Sequence, residues 1–557
     1  MGRTISIGAQ DFGAIRKGNI FFVDKTSFIM EWWNNLDIVT LITRPRRFGK
    51  TLNMSMLEYF FSMKYAGRGD ELFDGLRVWE DPGMRMLQGQ YPVIFLSFAG
   101  VKETTAKGAI AAICREISRI FTDLNELTEK SGLTEAEIKR FREYEYEIKP
   151  TVAADSLRFL SSCMKKTYGR DVILLLDEYD TPMQEAYVNG YWNEMIDFLR
   201  PLFNNTFKTN PALGRAVMTG VTRITRESLF SDMNNLEVIS TGSNKYETSF
   251  GFTEEEVFAS MEEMELTNRE EVKEWYDGFT FGNTTDIYNP WSITHFLDKK
   301  KVGTYWSNTS SNALISALIR QGRRKLYDGF EALMHEETIE AFIDEQVVFG
   351  ELSRKPEAVW SLLLASGYLR IVGIYDGIYE LALTNLEVKR GFESMVNRWF
   401  DPSEGAYGDF QDALTRGDLR RMNDYMKEVT LTTISSFDTG THPSEALPEK
   451  FYHGFVLGLT VDMRREYNVR SNRESGYGRY DVMMIPKMEN LPAIIMEYKV
   501  FDEAEGEKTL EDTARRAIAQ IEEKQYDAEL ISEGIASENI RKYGFAFKGK
   551  EVLIVEG

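Results

Sequence analysis

Up to about residue 250 the chain alternates short apolar runs with longer amphipathic segments. The runs Ile38–Thr43, Val93–Phe98, Val172–Leu176 and Ala216–Gly220 are brief, β-branched and bounded by polar residues, as strands buried on both faces are. The segments between them are helix-length, and this alternation predicts an α/β domain built on a parallel sheet. From about Phe252 to Phe437 helical spacing takes over. It opens at Thr253-Glu254-Glu255-Glu256, where Thr253 can cap a helix and Glu256 complete the box. Glu357–Tyr368 reads as a helix, and Tyr368–Val372 with Ile378–Leu383 as a hairpin turning at Asp376-Gly377. Helices plus a hairpin predict a helical or winged-helix-like middle module. From Thr441 onward the order is α, β, β, α, β: a helix over Glu449–Leu459, strands Tyr480–Ile485 and Ala493–Tyr498, a helix over Thr509–Tyr526, and a strand near Val552–Val555. The expected domains are 1–252, 253–437 and 441–557, with Phe437–Pro448 as linker.

Composition narrows the class. At 43% hydrophobic and 13% aromatic over 557 residues, the chain can bury several cores, which excludes disorder as its dominant state. Cys114 and Cys163 are its two cysteines, too few for a disulfide framework or a four-thiolate zinc site. A reduced, cytoplasmic protein is expected. No apolar run approaches the ~18 residues that span a bilayer, so no membrane partner is expected. The net charge of −21 repels nucleic acid at long range but leaves room for a local basic groove.

Two constellations carry chemistry. In the first, Thr43-Arg44-Pro45-Arg46-Arg47-Phe48-Gly49-Lys50-Thr51 follows an apolar strand and precedes the helix-like Leu52–Phe61. Strand, loop and helix in this order form the context of a phosphate loop, G-x-x-x-x-G-K-[ST], although Arg44 stands at the first glycine. Gly49 lets backbone N–H groups approach phosphates, Lys50 reaches the β and γ groups, and Thr51 holds Mg²⁺. Arg46, Arg47 and Phe48 complete the candidate nucleotide contacts, and the helix N-terminus adds its dipole. A second apolar strand ends in Asp177-Glu178, where Asp177 can bind Mg²⁺ and Glu178 can orient or deprotonate the attacking water. Arg223 and Arg226, beyond the run Ala216–Gly220, either sense the terminal phosphate or pair with acidic neighbours; both alternatives stand.

The second constellation is Asp481, then Glu497-Tyr498-Lys499. Glu497 and Lys499, two apart on a strand, share a face. Two carboxylates and a lysine converging on one point can hold Mg²⁺ or Mn²⁺ and activate water for phosphodiester attack. Glu449 is a further candidate metal ligand, and Gln520 a candidate for orienting the water or phosphate. Arg464, Arg465, Arg470, Arg473 and Arg479 form a local basic stretch, either a nucleic-acid contact or a set of ion pairs.

With these residues the chain resembles bacterial AAA-ATPase-like proteins that carry a C-terminal PD-(D/E)XK nuclease-superfamily domain. The resemblance rests on Ile7-Gly8, Asp11-Phe12, Phe22-Val23-Asp24-Lys25-Thr26, the loop Arg44–Thr51 and Leu176-Asp177-Glu178-Tyr179-Asp180. It continues through Trp275-Tyr276-Asp277-Gly278-Phe279, Tyr288-Asn289-Pro290-Trp291-Ser292 and Trp306-Ser307-Asn308-Thr309. At the C-terminal end it includes Phe451–Phe455, Ser471–Gly476, Gly478–Asp481, Glu497–Lys499 and Gln520. It implies that Arg44 belongs to the family's own form of the loop. It also implies Asp481 and Glu497 as metal ligands and Lys499 as catalytic lysine, with Tyr480 where a proline is usual. The aromatic middle motifs read as packed turns. The expected function is an ATP-binding and hydrolysing protein coupled to a metal-dependent nuclease-like domain acting on DNA or RNA. The alternative is a signalling ATPase whose C-terminal domain binds a partner or nucleic acid without cleaving it. Self-association is left open.

Overall fold

The computed structural model describes residues 3–222, 229–230, 233–306, 324–343, 358–400, 406–436, 458, 463–471, 473–475, 477–488, 490–548 and 551–557. Arg223, Arg226, Glu449 and the expected linker Phe437–Pro448 lie outside these residues, as do nearly all of the helix expected over 449–459 and the side chain of Arg464. The chain divides into two compact units, one of Met1–Ser310 with Glu340–Val388, the other of Ser311–Ile339 with Lys389–Gly557.

The first unit is organised by a five-stranded sheet. Its strands are β1 (Val39–Thr43), β2 (Val93–Ser97), β3 (Val172–Asp177), β4 (Leu213–Gly220) and β5 (Leu236–Ile239), in the order β2-β3-β4-β1-β5 and all parallel. Every residue of β1 and β3 is buried, as their unbroken apolar runs require. The helix α1 (Lys50–Phe61) leaves the end of β1 and packs Met54, Met56, Leu57, Phe60 and Phe61 into a core with Phe28, Trp32, Ile173 and Val217. The strand β5 has no counterpart in the sequence pattern. It is four residues long, half-buried, and carries Glu237 at the sheet edge.

The rest of this unit supports the sheet's loop end. Thr253 caps α2 (Glu254–Glu263) in a complete capping box with Glu256. A small antiparallel sheet joins β6 (Phe252–Thr253), β7 (Phe279–Phe281) and β8 (Thr284–Tyr288) in the order β6-β8-β7. Asn289 then caps α3 (Pro290–Lys299), its side-chain oxygen accepting from the Trp291 and Ser292 amides. The expected hairpin forms as β9 (Leu369–Tyr375) and β10 (Ile378–Leu383). Asp376 and Gly377 sit at φ 54° and 81°, the left-handed pair that a two-residue hairpin turn demands.

The second unit carries a mixed sheet of β11 (Tyr467–Ser471), β12 (Val482–Pro486), β13 (Ala493–Val500), β14 (Ile540–Lys548) and β15 (Glu551–Glu556), hydrogen-bonded in that order. Only β13 and β14 run parallel, and α4 (Leu510–Glu523) makes the crossover between them. A Cβ at Gly544 would meet the Ala514 carbonyl oxygen at 2.3 Å, so glycine is what lets helix and sheet approach so closely. The sequence pattern missed β11 and β14. The latter begins Ile540-Arg541-Lys542 and is interrupted by Gly544, which hides a buried strand. Among the described residues no helix is long and apolar enough to cross a membrane.

Candidate functional site

The phosphate-loop candidate grows from the end of β1. The Arg44 amide donates to the Gly220 carbonyl at 3.2 Å, extending the β1–β4 ladder by one residue. The Arg44 side chain is fully buried: Nη1 donates to the carbonyls of Ser240 and Thr43 at 2.7 and 3.0 Å, and the guanidinium lies 4.5 Å from the Phe281 ring centroid. Burial pushes its pKa down to about 9. At the first-glycine position, therefore, a side chain is committed to the protein interior. Arg46 donates to Gln184 Oε1 at 2.8 Å, and Arg47, at φ 69°, lies 4.0 Å above the Trp291 ring. Phe48 is buried against Phe279 and Phe281. Gly49 takes φ 78° at the start of α1, where a side chain would be strained.

Lys50 is 6% exposed and donates to the carbonyls of Arg44 and Pro45 at 2.9 and 2.8 Å. Burial pushes its pKa down to about 8. Thr51 donates from Oγ1 to Asp177 Oδ2 at 2.8 Å, and Thr219 donates to the other oxygen. Asp177 is buried, which raises its pKa despite these two bonds. A hydroxyl and a carboxylate in contact, beside a lysine that reaches loop carbonyls, suit a nucleotide carrying a divalent ion. Glu178 stands at φ 52°, its amide donating to Thr219 Oγ1 at 3.4 Å and its carboxylate accepting from Thr181 Oγ1 at 3.1 Å. Asp180, also buried, accepts from the amides of Val221 and Thr222 and from Gln184 Nε2, each at 2.9 Å.

In the second unit the paired β12 and β13 bring the C-terminal candidates together. The Tyr498 amide donates to Asp481 Oδ2 at 2.9 Å, and the Asp481 amide to Glu497 Oε2 at 3.4 Å. Lys499 Nζ lies 3.3 Å from Glu497 Oε1, and Gln520, from α4, donates to the same oxygen. Glu497 is 2% exposed; burial, then the charge of Asp481, pushes its pKa up to about 8. Two adjacent carboxylates, one of them costly to ionise when alone, are what a bound divalent cation would relieve. Tyr526 is the residue that sequence reasoning missed here. Its hydroxyl accepts from Gln520 Nε2 at 2.9 Å and donates to the Arg479 carbonyl at 2.7 Å.

The arginine stretch divides. Arg470 is bound to Glu529 and Glu533 at 2.5 and 3.3 Å, and Arg473 to Glu337 at 3.3 Å. Arg465, Arg473 and Arg479 are exposed, and Arg470 is half-buried. Among the described residues one group of three carboxylates is close enough to share an ion: Glu254, Asp277 and Asp286. Lys273 Nζ already bridges Glu254 and Asp286 at 2.5 and 3.2 Å and lies 3.9 Å from Asp277, so this cluster carries its own cation.

Thr219 was also missed, as were the partners of Asp180 and Trp306, two residues that stand inside motifs named from the sequence. Thr219 left one trace, a lone hydroxyl at the end of the apolar run in β4; the roles of the others depend on distant segments.

Comparison with known proteins places each constellation within a family match. Residues 6–230 match the family described as Predicted AAA-ATPase, and residues 447–557 match the PD-(D/E)XK nuclease superfamily. The chain is also similar to an uncharacterized protein in the vnfD 5′ region of Azotobacter chroococcum mcd 1. That protein is 27% identical over 539 residues, covering 94% of this chain and 93% of the relative.

Proposed function

For a chain that joins an AAA-ATPase-like domain to a PD-(D/E)XK nuclease-superfamily domain, we propose ATP hydrolysis at the first and Mg²⁺- or Mn²⁺-dependent cleavage of DNA or RNA at the second. The contact of Thr51 with Asp177 carries the ATPase half, because it joins the loop's metal-binding hydroxyl to the strand-end carboxylate. Lys50 exchanges its two loop carbonyls for phosphate oxygens, Thr51 and Asp177 hold Mg²⁺, and Glu178 orients the attacking water. Arg223 remains the proposed sensor of the terminal phosphate. In the nuclease half Asp481 and Glu497 hold the metal, with Glu449 as a further ligand. Lys499 stabilises developing charge, and Gln520 orients the group bound beside Glu497. The metal supplies Lewis acidity and a more acidic bound water. Arg479, two residues before Asp481 and with its carbonyl bound to Tyr526, favours a nucleic-acid strand near the site. A cytoplasmic location belongs to the same proposal, supported by the free, buried Cys114 and Cys163.

The second reading, a regulatory ATPase whose C-terminal domain binds without cutting, is favoured by the net charge of −21 and by the ion pairs of Arg470 and Arg473. One experiment separates the two. The protein is incubated with single- and double-stranded DNA and RNA in Mg²⁺ or Mn²⁺, with and without ATP, beside Lys499→Ala and Lys50→Ala. Cleavage that disappears in Lys499→Ala supports the nuclease, and its response to Lys50→Ala measures coupling. ATP hydrolysis with every nucleic acid intact supports the regulatory ATPase.

A further inference from the structure

The phosphate loop is gripped from outside by a segment far along the chain. Trp306 Nε1 donates to the Arg46 carbonyl at 3.0 Å, and Asn289 Nδ2 approaches the same oxygen at 3.5 Å. Trp306 is buried, edge-on to Phe279 and tilted against Tyr368. Its amide and that of Tyr305 donate to Glu387 Oε1, while Ser292 Oγ donates to Oε2 at 2.6 Å. Glu387 is itself buried, so a carboxylate holding three donors anchors the tryptophan.

The direction of these bonds matters. A trans peptide is planar, with C=O and N–H pointing to opposite sides. Tying the Arg46 carbonyl to Trp306 therefore turns the Arg47 N–H away from the clamp. One peptide earlier the sense is reversed, since the Pro45 carbonyl faces Lys50 Nζ. The loop changes hand at Arg47, whose φ of 69° is unusual for a residue with a side chain and needs support from its surroundings. A left-handed residue in such a turn gathers successive N–H groups into an anion-binding hollow.

We propose that Trp306, assisted by Asn289, is a positioning residue for the nucleotide phosphates. Its indole fixes the Arg46–Arg47 peptide so that the Arg47 N–H joins the phosphate cradle. A hydrogen bond from outside the loop thus does the work that a first glycine's backbone freedom does when that glycine is present. The inference rests on the ATP assignment above.

The test titrates the full-length protein with ADP and ATP in Mg²⁺ and measures steady-state ATPase. Trp306→Phe keeps a packed ring and removes the donor. Its dissociation constants for both nucleotides should rise about five- to tenfold, the scale of one hydrogen bond, with KM rising in parallel and kcat moving less than about twofold. Asn289→Ser keeps the helix cap but loses the amide, and should raise them about twofold. Lys50→Ala separates the two levels of inference. Wild-type affinity in Trp306→Phe, with binding lost in Lys50→Ala, overturns the clamp and leaves the ATP assignment standing. Indifference of binding to Lys50→Ala, or no binding by the wild type, overturns both. Should Trp306→Phe prove unstable, Asn289→Ser decides by the same criteria.

Discussion

The hydroxyl of Thr51 donates to the carboxylate of Asp177 across 2.8 Å, although β4 lies between the strands that lead to the two residues. The intervening strand contributes Thr219, so Asp177 sits between two hydroxyls in a buried site. Asp177→Asn should lower the ATPase rate by about a hundredfold or more, since the metal loses its anionic ligand. The thermal midpoint should not fall, because the amide can accept from one hydroxyl and donate to the other. Comparing turnover with thermal unfolding checks both, and an undiminished rate would remove Asp177 from the metal site.

Tyr526→Phe removes the hydroxyl that joins Gln520 to the Arg479 carbonyl. Gln520 then keeps Glu497 but loses its own support. If the second site cleaves nucleic acid, single-turnover cleavage should slow by about ten- to a hundredfold, the usual cost of a lost outer partner. Urea unfolding should register about 1 kcal/mol. Wild-type cleavage by the phenylalanine variant would sever Tyr526 from the site.

Two arginines close in sequence should behave differently. Arg470 is half-buried with Glu529 and Glu533, so Arg470→Ala should cost about 1–2 kcal/mol of stability and leave nucleic-acid affinity alone. Arg479 is exposed, so Arg479→Ala should weaken nucleic-acid binding and reduce the slope of log K against log salt by about one. Binding isotherms across a salt series, with denaturant curves on the same samples, distinguish the two. Identical salt slopes for Arg479→Ala and wild type would exclude Arg479 from the interface.

Asp277 offers a pH dependence. Burial, then the hydrogen bond shared with Asp286, pushes its pKa up to about 7. An unfolded aspartate releases its proton near pH 4, so between about pH 4 and 7 the native state binds the extra proton. Stability from this group therefore falls as pH rises through that window. Asp277→Asn removes the effect, and the variant should gain on the wild type by up to ~4 kcal/mol between about pH 4 and pH 8. Denaturation of both proteins along a pH series measures the gain; a pH-independent difference would show Asp277 ionised throughout.

The positions that could be read from sequence are those whose chemistry is local. The loop Gly49-Lys50-Thr51, the strand-end pair Asp177-Glu178, and the alternation of Glu497 and Lys499 each follow from a motif of a few residues on one element. The Asp376-Gly377 turn and the Thr253 cap were equally local, and the structure contains both. Trp306 belongs to an aromatic motif that predicts a packed turn, and it is packed. Its bond to Arg46, however, depends on two segments more than two hundred residues apart.

Sequence alone therefore determined the elements and the chemical groups: period and propensity act within a dozen residues, and a phosphate loop must carry its glycine and lysine wherever it lies. Tertiary structure decided which groups meet. It drew the Arg44 side chain into the core, engaged Arg470 and Arg473 with carboxylates, set Thr219 between two strands and gave Tyr526 to Gln520. Those outcomes depend on burial and on partners from distant segments. A charge or hydroxyl buried by folding must find a partner there, and only the packed chain shows which one is within reach.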